Sequence, residues 1–399
     1  MYCNSMENKK YSILLICTNG IPGHIIRFIR NLKNANPSVC ITLFSKRSKE
    51  WFPEELDYYL DDFIQLKKYT GWPHRLWVFR GLFDYFAMVN QFKELARSHH
   101  YDIVNIHFPQ YYLDSVMHSI RRMSNCIIVS PWGSDLLRVA DKEKKRLRRV
   151  IKKADYITVG SNGFFGKVLC QEMKIDKEKF HPLSWGSETI DYINEHIAEV
   201  SRDAAKERLG LEGRYLITCG YNAFEAQRHE IIINAIHSKR GQLPENMTLL
   251  FPVTYGTAVD SIDKKYIRRL KALCEDLNLS AVFYENYLSL PDTFLLRRAT
   301  DMFIHIQPTD GGNSSLQEYV LCGAKVVHGA WIHYNYLEQF NPLFYFPVND
   351  LNELGDVIVD AYRSEPIRIS EQVIANISNR GWKAKMMLWN DFFVSCLKS

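Results

Sequence analysis

Residues 301–327 read DMFIHIQPTDGGNSSLQEYVLCGAKVV, and the folding of this stretch decides the architecture. Met302 to Ile306 is an apolar run of the length of a buried parallel strand. A polar turn, Gln307 to Asn313, carries Pro308 and the pair Gly311-Gly312. The spacing then predicts a helix over Ser314 to Leu321, stopped by Gly323, and a new strand from Lys325 to Val327. A strand, a glycine turn and a helix N-terminus present free backbone N–H groups to an anion. Asp310 stands in the turn and Glu318 lies eight positions on, inside the helix. The pattern suits a ligand with both sugar hydroxyls and a diphosphate. An ordinary loop, with Asp310 capping the helix and Glu318 solvated, remains open.

The stretch resembles the signature of retaining GT-B glycosyltransferases, chiefly family four: an acidic residue, seven residues, Glu, a small-residue turn and a valine-rich strand. Asp310 takes the first acidic place, where the family more often has Glu, and Glu318 the second. The resemblance implies that Asp310 contacts the donor sugar and that the turn amides of Gly311, Gly312, Asn313, Ser314 and Ser315 contact sugar and phosphate. Glu318 is implied to hold the ribose.

A length of 399 residues suggests two domains, and 46% apolar with 24% charged residues is the composition of an ordinary globular protein. Nine cysteines lack any CxxC or metal-ligand spacing and read as free thiols in a reducing compartment. No apolar signal segment precedes Tyr11, and no run of about 18 apolar residues is present to span a membrane. Residues 1–185 hold 29 Lys and Arg against 18 Asp and Glu; the remainder holds 21 against 27. A basic half joined to an acidic half predicts that the first half meets something anionic.

In the first half, Tyr11–Thr18 reads as a strand, followed by Gly20, Gly23 and His24 and a helix to about Asn34. Gly20 and Gly23 would let backbone approach a phosphate or an acceptor, although a plain tight turn reads equally well. Val39–Phe44, Phe63–Leu66, Tyr101–Phe108, Cys126–Ser130 and Ala154–Ser161 are further strands. Between Tyr69 and Phe92 lies an aromatic-rich stretch, part of it a core helix, whose front, Trp72–Arg80, could instead be an exposed face touching a lipid-linked acceptor or the membrane surface. Asp141–Lys153 is a strongly basic helix, either a solvated face or attracted to anionic lipid. His107 ends one strand, and Trp132-Gly133-Ser134-Asp135 follows another. WGSD resembles the family's HGSD-type turn, with Trp132 where many members have His. Indole can neither gain nor give a proton at neutral pH, so the role would pass to His107 or His24.

Phe180–Gly186 stands where the family crosses to its second domain. Residues 1–186 therefore read as an N-terminal acceptor domain, 187–378 as a donor domain, and 379–399 as a helix packing back on the first. The second domain opens with the strand Tyr215–Cys219, Gly220, Tyr221 and Asn222, then an aliphatic helix. By its offset Arg228 matches the family's Lys and His229 its Gly. Arg228 is a forked cation suited to a diphosphate. Tyr221 replaces the family's separate Arg, with Asn222, Gln227 or His229 to compensate. Further strands are Met247–Val253 and Ala281–Tyr284. Backbone groups from Tyr284 to Tyr287, with an aromatic ring stacking, stand where the family holds the nucleobase.

The implied fold is α/β: two Rossmann-like domains with parallel sheets facing a central cleft. The implied activity is transfer of a sugar from a nucleotide sugar to a glycan or lipid-linked acceptor in cell-surface polysaccharide synthesis, with retention and without metal or cofactor. The expected location is the cytoplasm, with peripheral contact to anionic membrane. No nucleic-acid motif accompanies the basic run. Two other readings stay open: an epimerase of nucleotide sugars on the same scaffold, and a GT-B protein that binds carbohydrate or a partner without catalysis.

Overall fold

The computed structural model describes residues 10–18, 22–68, 80–137, 139–160, 166–255, 264–310, 314–339, 344–365 and 368–398. The chain divides into two compact units, residues 1–186 with 382–399, and residues 187–381.

Among the described residues of the first unit, seven strands form one parallel sheet. They are β1 (Ser12–Cys17), β2 (Cys40–Ser45), β3 (Asp62–Gln65), β4 (Ile103–His107), β5 (Cys126–Ser130), β6 (Tyr156–Thr158) and β7 (Phe180–His181). Their order is β3-β2-β1-β4-β5-β6-β7. The apolar runs alternate between faces, as strand geometry requires. Leu14 and Ile16 enter one core with Phe92 and Val129, while Ile13 and Leu15 enter the other with Phe28 and Ile128. β7 was not expected: Phe180 and His181 pair with Ile157 and Thr158 and extend the sheet by one short edge strand.

The helix Trp382–Cys396 belongs to this unit. Its buried Trp382, Met386, Trp389 and Phe393 recur at the three-to-four spacing of a helix face. Phe28 receives them, with its ring 5.0 Å from Trp389 and 6.2 Å from Trp382. Asn390 accepts hydrogen bonds from the Tyr11 hydroxyl at 3.2 Å and Asn36 Nδ2 at 3.1 Å. Gly186 is required here, since a Cβ on it would lie 2.6 Å from Trp382.

The described residues of the second unit form six parallel strands: β8 (Tyr215–Cys219), β9 (Met247–Pro252), β10 (Ala281–Tyr284), β11 (Met302–His305), β12 (Lys325–Gly329) and β13 (Phe346–Val348). Their order is β10-β9-β8-β11-β12-β13. In each unit the chain winds outward from the first strand, then returns to continue on its other side. The winding reverses between β1 and β4 and between β8 and β11. Crevices at the carboxyl ends of such strand pairs are where open α/β sheets take ligands.

Candidate functional site

The β8–β11 reversal gathers most of the second unit's expected site residues. After β8, Gly220 turns the chain at φ +64°; a Cβ there would lie 2.9 Å from both Gln227 and His229 side chains. Asn222 is buried and its Oδ1 accepts from the Phe224 amide at 2.9 Å, so it shapes the turn. Gln227 Nε2 donates to Gln307 Oε1 at 3.0 Å, and the Tyr221 hydroxyl donates to the same oxygen at 3.4 Å. The loops after β8 and β11 are thereby tied together.

Arg228 sits at φ 60°, ψ 37°, immediately before the helix His229–Ser238. A non-glycine residue there carries backbone strain, of a kind that clusters at ligand sites. Its Nη1 donates to the Ile306 carbonyl at 3.1 Å, and its guanidinium lies 5.5 Å from the Trp331 ring centre. Trp331 in turn donates to the Gln307 carbonyl at 2.8 Å. The cation is thus fixed four residues before Asp310. His229 does not supply a second one. It is fully buried, its Nδ1 lies 2.9 Å from the Tyr266 hydroxyl, and burial lowers its pKa to about 4.

Asp310 is buried. Its Oδ2 accepts from the Tyr334 hydroxyl and lies 3.7 Å from His305 Nε2. The parallel register sets His305 beside His328, with rings stacked 5.0 Å apart. Their Nδ1 atoms are 2.9 Å apart, a distance that needs one proton between them. Burial lowers the pKa of both rings to about 3, so both are neutral at physiological pH. Sequence reasoning missed Tyr334, Trp331 and His328; the only local signal was an aromatic and histidine cluster, HGAWIHY, after β12.

Glu318 is buried within the helix Ser314–Leu321, so the solvated reading fails. Its Oε2 accepts from Arg297 Nε at 3.1 Å and its Oε1 from the Ser187 hydroxyl at 3.1 Å. Arg297 also donates to the Tyr319 hydroxyl at 2.6 Å and the Ser315 hydroxyl at 3.5 Å. A carboxylate offers about four lone-pair sites, and these two bonds use one on each oxygen of Glu318. Ser314 and Ser315 open the helix. Gly311, Gly312 and Asn313 lie outside the described residues. Tyr284 ends β10 half-buried, and Tyr287 is 78% exposed, placed to offer a ring face.

In the first unit the expected residues form an aromatic cluster after β4 and β5. Trp132 Nε1 donates to His107 Nδ1 at 3.4 Å, and the Trp132 ring lies 4.8 Å from Trp185 and 5.5 Å from His24. His107 is fully buried and burial lowers its pKa to about 3, so it supports the indole and is not a solvent-facing acid or base. Asp135 folds the turn, accepting from the Trp132 amide at 2.9 Å and the Gly133 amide at 2.7 Å. Burial, opposed by these N–H groups, pushes its carboxyl up to about 7. His24 and Gly23 are exposed near the start of the helix Pro22–Ala35. Gly20, and Trp72–Val78 with Phe79, lie outside the described residues.

Residues 12–161 match the model of the glycosyl transferase 4-like family. No curated protein sequence matches the chain at a significant level. Among solved structures, a glycosyltransferase from Rickettsia africae superposes with a TM-score of 0.73 at 15% identity, covering 98% of this chain and 100% of that one. Anabaena Alr3699/HepE, solved in complex with UDP-glucose, gives 0.68 at 13% identity, covering 97% and 99%. The lipopolysaccharide outer core galactosyltransferase WaaB gives 0.65 at 12%, covering 96% and 99%. The chain therefore has the two-Rossmann-domain GT-B fold of glycosyltransferases, with a glycosyl transferase 4-like segment over residues 12–161.

Proposed function

We propose that the chain is a glycosyltransferase whose second unit binds a nucleotide-sugar donor at the β8–β11 reversal. The observation that carries this is the placement of Arg228 on the Ile306 carbonyl at 3.1 Å, four residues before the buried Asp310, whose Oδ2 accepts from the Tyr334 hydroxyl. A cation and a carboxylate at one crevice match the two ends of a sugar diphosphate. Arg228 and the helix amides stabilise the leaving diphosphate, Asp310 orients the sugar hydroxyls, and Glu318 takes the ribose.

The transfer retains the anomeric configuration. The bond from the anomeric carbon to the diphosphate oxygen breaks, and the bond to the acceptor oxygen forms on the same face. The acceptor's proton passes to the departing phosphate oxygen. Arg228 supplies the neutralising charge, so the reading calls for no resident metal. The acceptor is a glycan or lipid-linked glycan of a cell-surface polysaccharide, met in the cytoplasm at the inner face of the membrane. Exposed Leu82 and Phe86, one turn apart on the helix Arg80–Ser98, support contact with that surface. No helix among the described residues is long and apolar enough to cross a membrane.

A thermal-shift screen of nucleotides and nucleotide sugars tests the reading, starting with UDP and UDP-glucose, the ligands of the Anabaena protein. A bound donor raises the melting temperature by mass action, and Arg228→Gln removes most of that rise. Asp310→Asn should keep nucleotide binding and lose turnover. A chain that no nucleotide sugar stabilises, or an Asp310→Asn variant of parental rate, would refute it. Donor turnover without an acceptor would instead favour epimerisation.

A further inference from the structure

A second polar cavity, of about 390 Å³, opens in the first unit at the carboxyl ends of β1, β2 and β3. The floor carries Thr18, which is buried just beyond β1. Lys46 and Arg47 come from the turn after β2, and Lys68 from the chain after β3. No Asp or Glu lines the cavity, and none of these three cations has a carboxylate partner among the described residues. The neighbouring cations Lys49 and Lys67, by contrast, pair with Asp57 at 2.8 Å and Glu94 at 3.7 Å. Trp51 forms one wall. The Arg47 guanidinium lies 4.2 Å from its ring centre, and yet 53% of the residue is exposed. One ring face is therefore covered by a cation and much of the remaining surface is open.

We propose that this cavity binds an anionic sugar, a pyranose ring bearing a phosphate or a carboxylate. Three uncompensated cations lining one cavity repel each other, and an anion relieves that repulsion. Arg47 meets either anion through two parallel N–H bonds, held in orientation by the indole beneath it. The exposed indole surface stacks on the apolar face of the ring, and Ser48 and Gln65 at the rim pair with hydroxyls. The volume lies in the range of small-ligand pockets, about 300–1,000 Å³. As a ligand site the cavity stands on its own geometry; as the subsite that gives the acceptor its anionic character, it rests on the transfer reading above.

The test is calorimetric titration of the full chain with glucose 6-phosphate, glucuronate, glucose and inorganic phosphate at low salt. Glucose 6-phosphate or glucuronate should bind at least tenfold tighter than glucose and tighter than inorganic phosphate. Whichever of the two is tighter identifies the anion, and both weaken as salt rises. Arg47→Gln with Lys68→Gln should cost tenfold or more, leaving the melting temperature within about 2 °C and the affinity for a nucleoside diphosphate within twofold. Trp51→Ala should bring the sugar phosphate down to the affinity of inorganic phosphate. Equal binding of glucose and its anionic forms, or parental binding by the double variant, overturns the proposal. So does capture of phosphatidylglycerol vesicles with no binding of either anionic sugar, which would make the patch a membrane contact. Loss of nucleotide binding in the parent with the sugar results intact would sink the donor reading and leave this site standing.

Discussion

The Arg297–Glu318 pair is the most sensitive point at which stability and ligand binding can be separated. The side chains are 8% and 4% exposed, so neither charge can be rehydrated if its partner goes. Glu318→Ala leaves the Arg297 guanidinium with only the Tyr319 and Ser315 hydroxyls, and removing one member of a buried pair costs about 3–5 kcal/mol. For a unit of this size each kcal/mol moves the midpoint by about 2–4 °C, so the second unit should melt about 6–20 °C lower. Glu318→Gln keeps one acceptor oxygen for Arg297, turns an NH2 toward Ser187, and should cost about 1–3 kcal/mol. Arg297→Met combined with Glu318→Leu removes both charges together and should return close to the parental midpoint. Melting followed by calorimetry, with nucleotide titration on each variant, reads the outcome. If Glu318 also holds the ribose, the apolar pair is stable but loses one charge-assisted hydrogen bond of about 1.5–3 kcal/mol, about 10- to 150-fold in affinity. A Glu318→Ala variant melting within a degree of the parent refutes the buried-pair argument. An apolar pair that binds nucleotide like the parent refutes the ribose contact.

Acid should loosen the second unit. His305 and His328, with pKa lowered to about 3, stay neutral in the fold but protonate below about 6.5 once unfolded. The unfolded state then binds more protons, so stability is full above about pH 6.5 and falls toward pH 3. At pH 5 the loss is about 2 kcal/mol per ring. Hydrogen exchange of β11 and β12 at pH 7 and 5 should show it, and His305→Asn with His328→Asn should flatten the slope; an unchanged slope contradicts it. Arg228→Gly relieves a left-handed non-glycine backbone by about 1 kcal/mol while losing one hydrogen bond of about the same size. Urea midpoints should stay near parental while diphosphate affinity falls at least tenfold; equal affinity would remove Arg228 from the site. Tyr334→Phe takes away the hydroxyl donated to Asp310 and should lower kcat about tenfold or more with nucleotide affinity kept, and a parental kcat would show that Asp310 needs no such anchor.

Much of the second unit was legible because its signals are local. Met302–His305 and Ser314–Leu321 follow from the apolar run and the helix spacing within twenty residues. The partners of Asp310 were not legible, because they depend on a register between strands that the sequence separates. His328 faces His305 only because β12 pairs with β11 at that offset, and Tyr334 reaches Asp310 from the loop beyond β12. A second role was not legible where a polar residue also serves its own backbone. Asn222 and Asp135 look like ligand groups in sequence, and in the structure both accept amides of adjacent turns. β7 has two residues, too short for any periodicity to register.

Charge shows the same division between run and placement. The sequence draws attention to Asp141–Lys153, the densest basic segment, as either a solvated face or a part attracted to anionic lipid. In the structure that helix buries Leu147, Val150 and Ile151, and several of its cations are already answered. Lys144 lies 3.0 Å from Glu172, and Arg149 and Lys153 lie 2.6 and 3.2 Å from Asp114. An anion arriving there competes with carboxylates in place, and exposed pairs of this kind return little energy when exchanged. Lys46, Arg47 and Lys68 are fewer and scattered in sequence, but they meet at one cavity with no acid among its lining residues. Attraction depends on net local field, not on the length of a basic run. If that holds, neutralising Lys142 and Lys145 on the helix should leave glucose 6-phosphate affinity within twofold. Neutralising Arg47 and Lys68 should cost at least tenfold, and equal losses from both pairs would mean that long-range charge, not the cavity, draws the ligand.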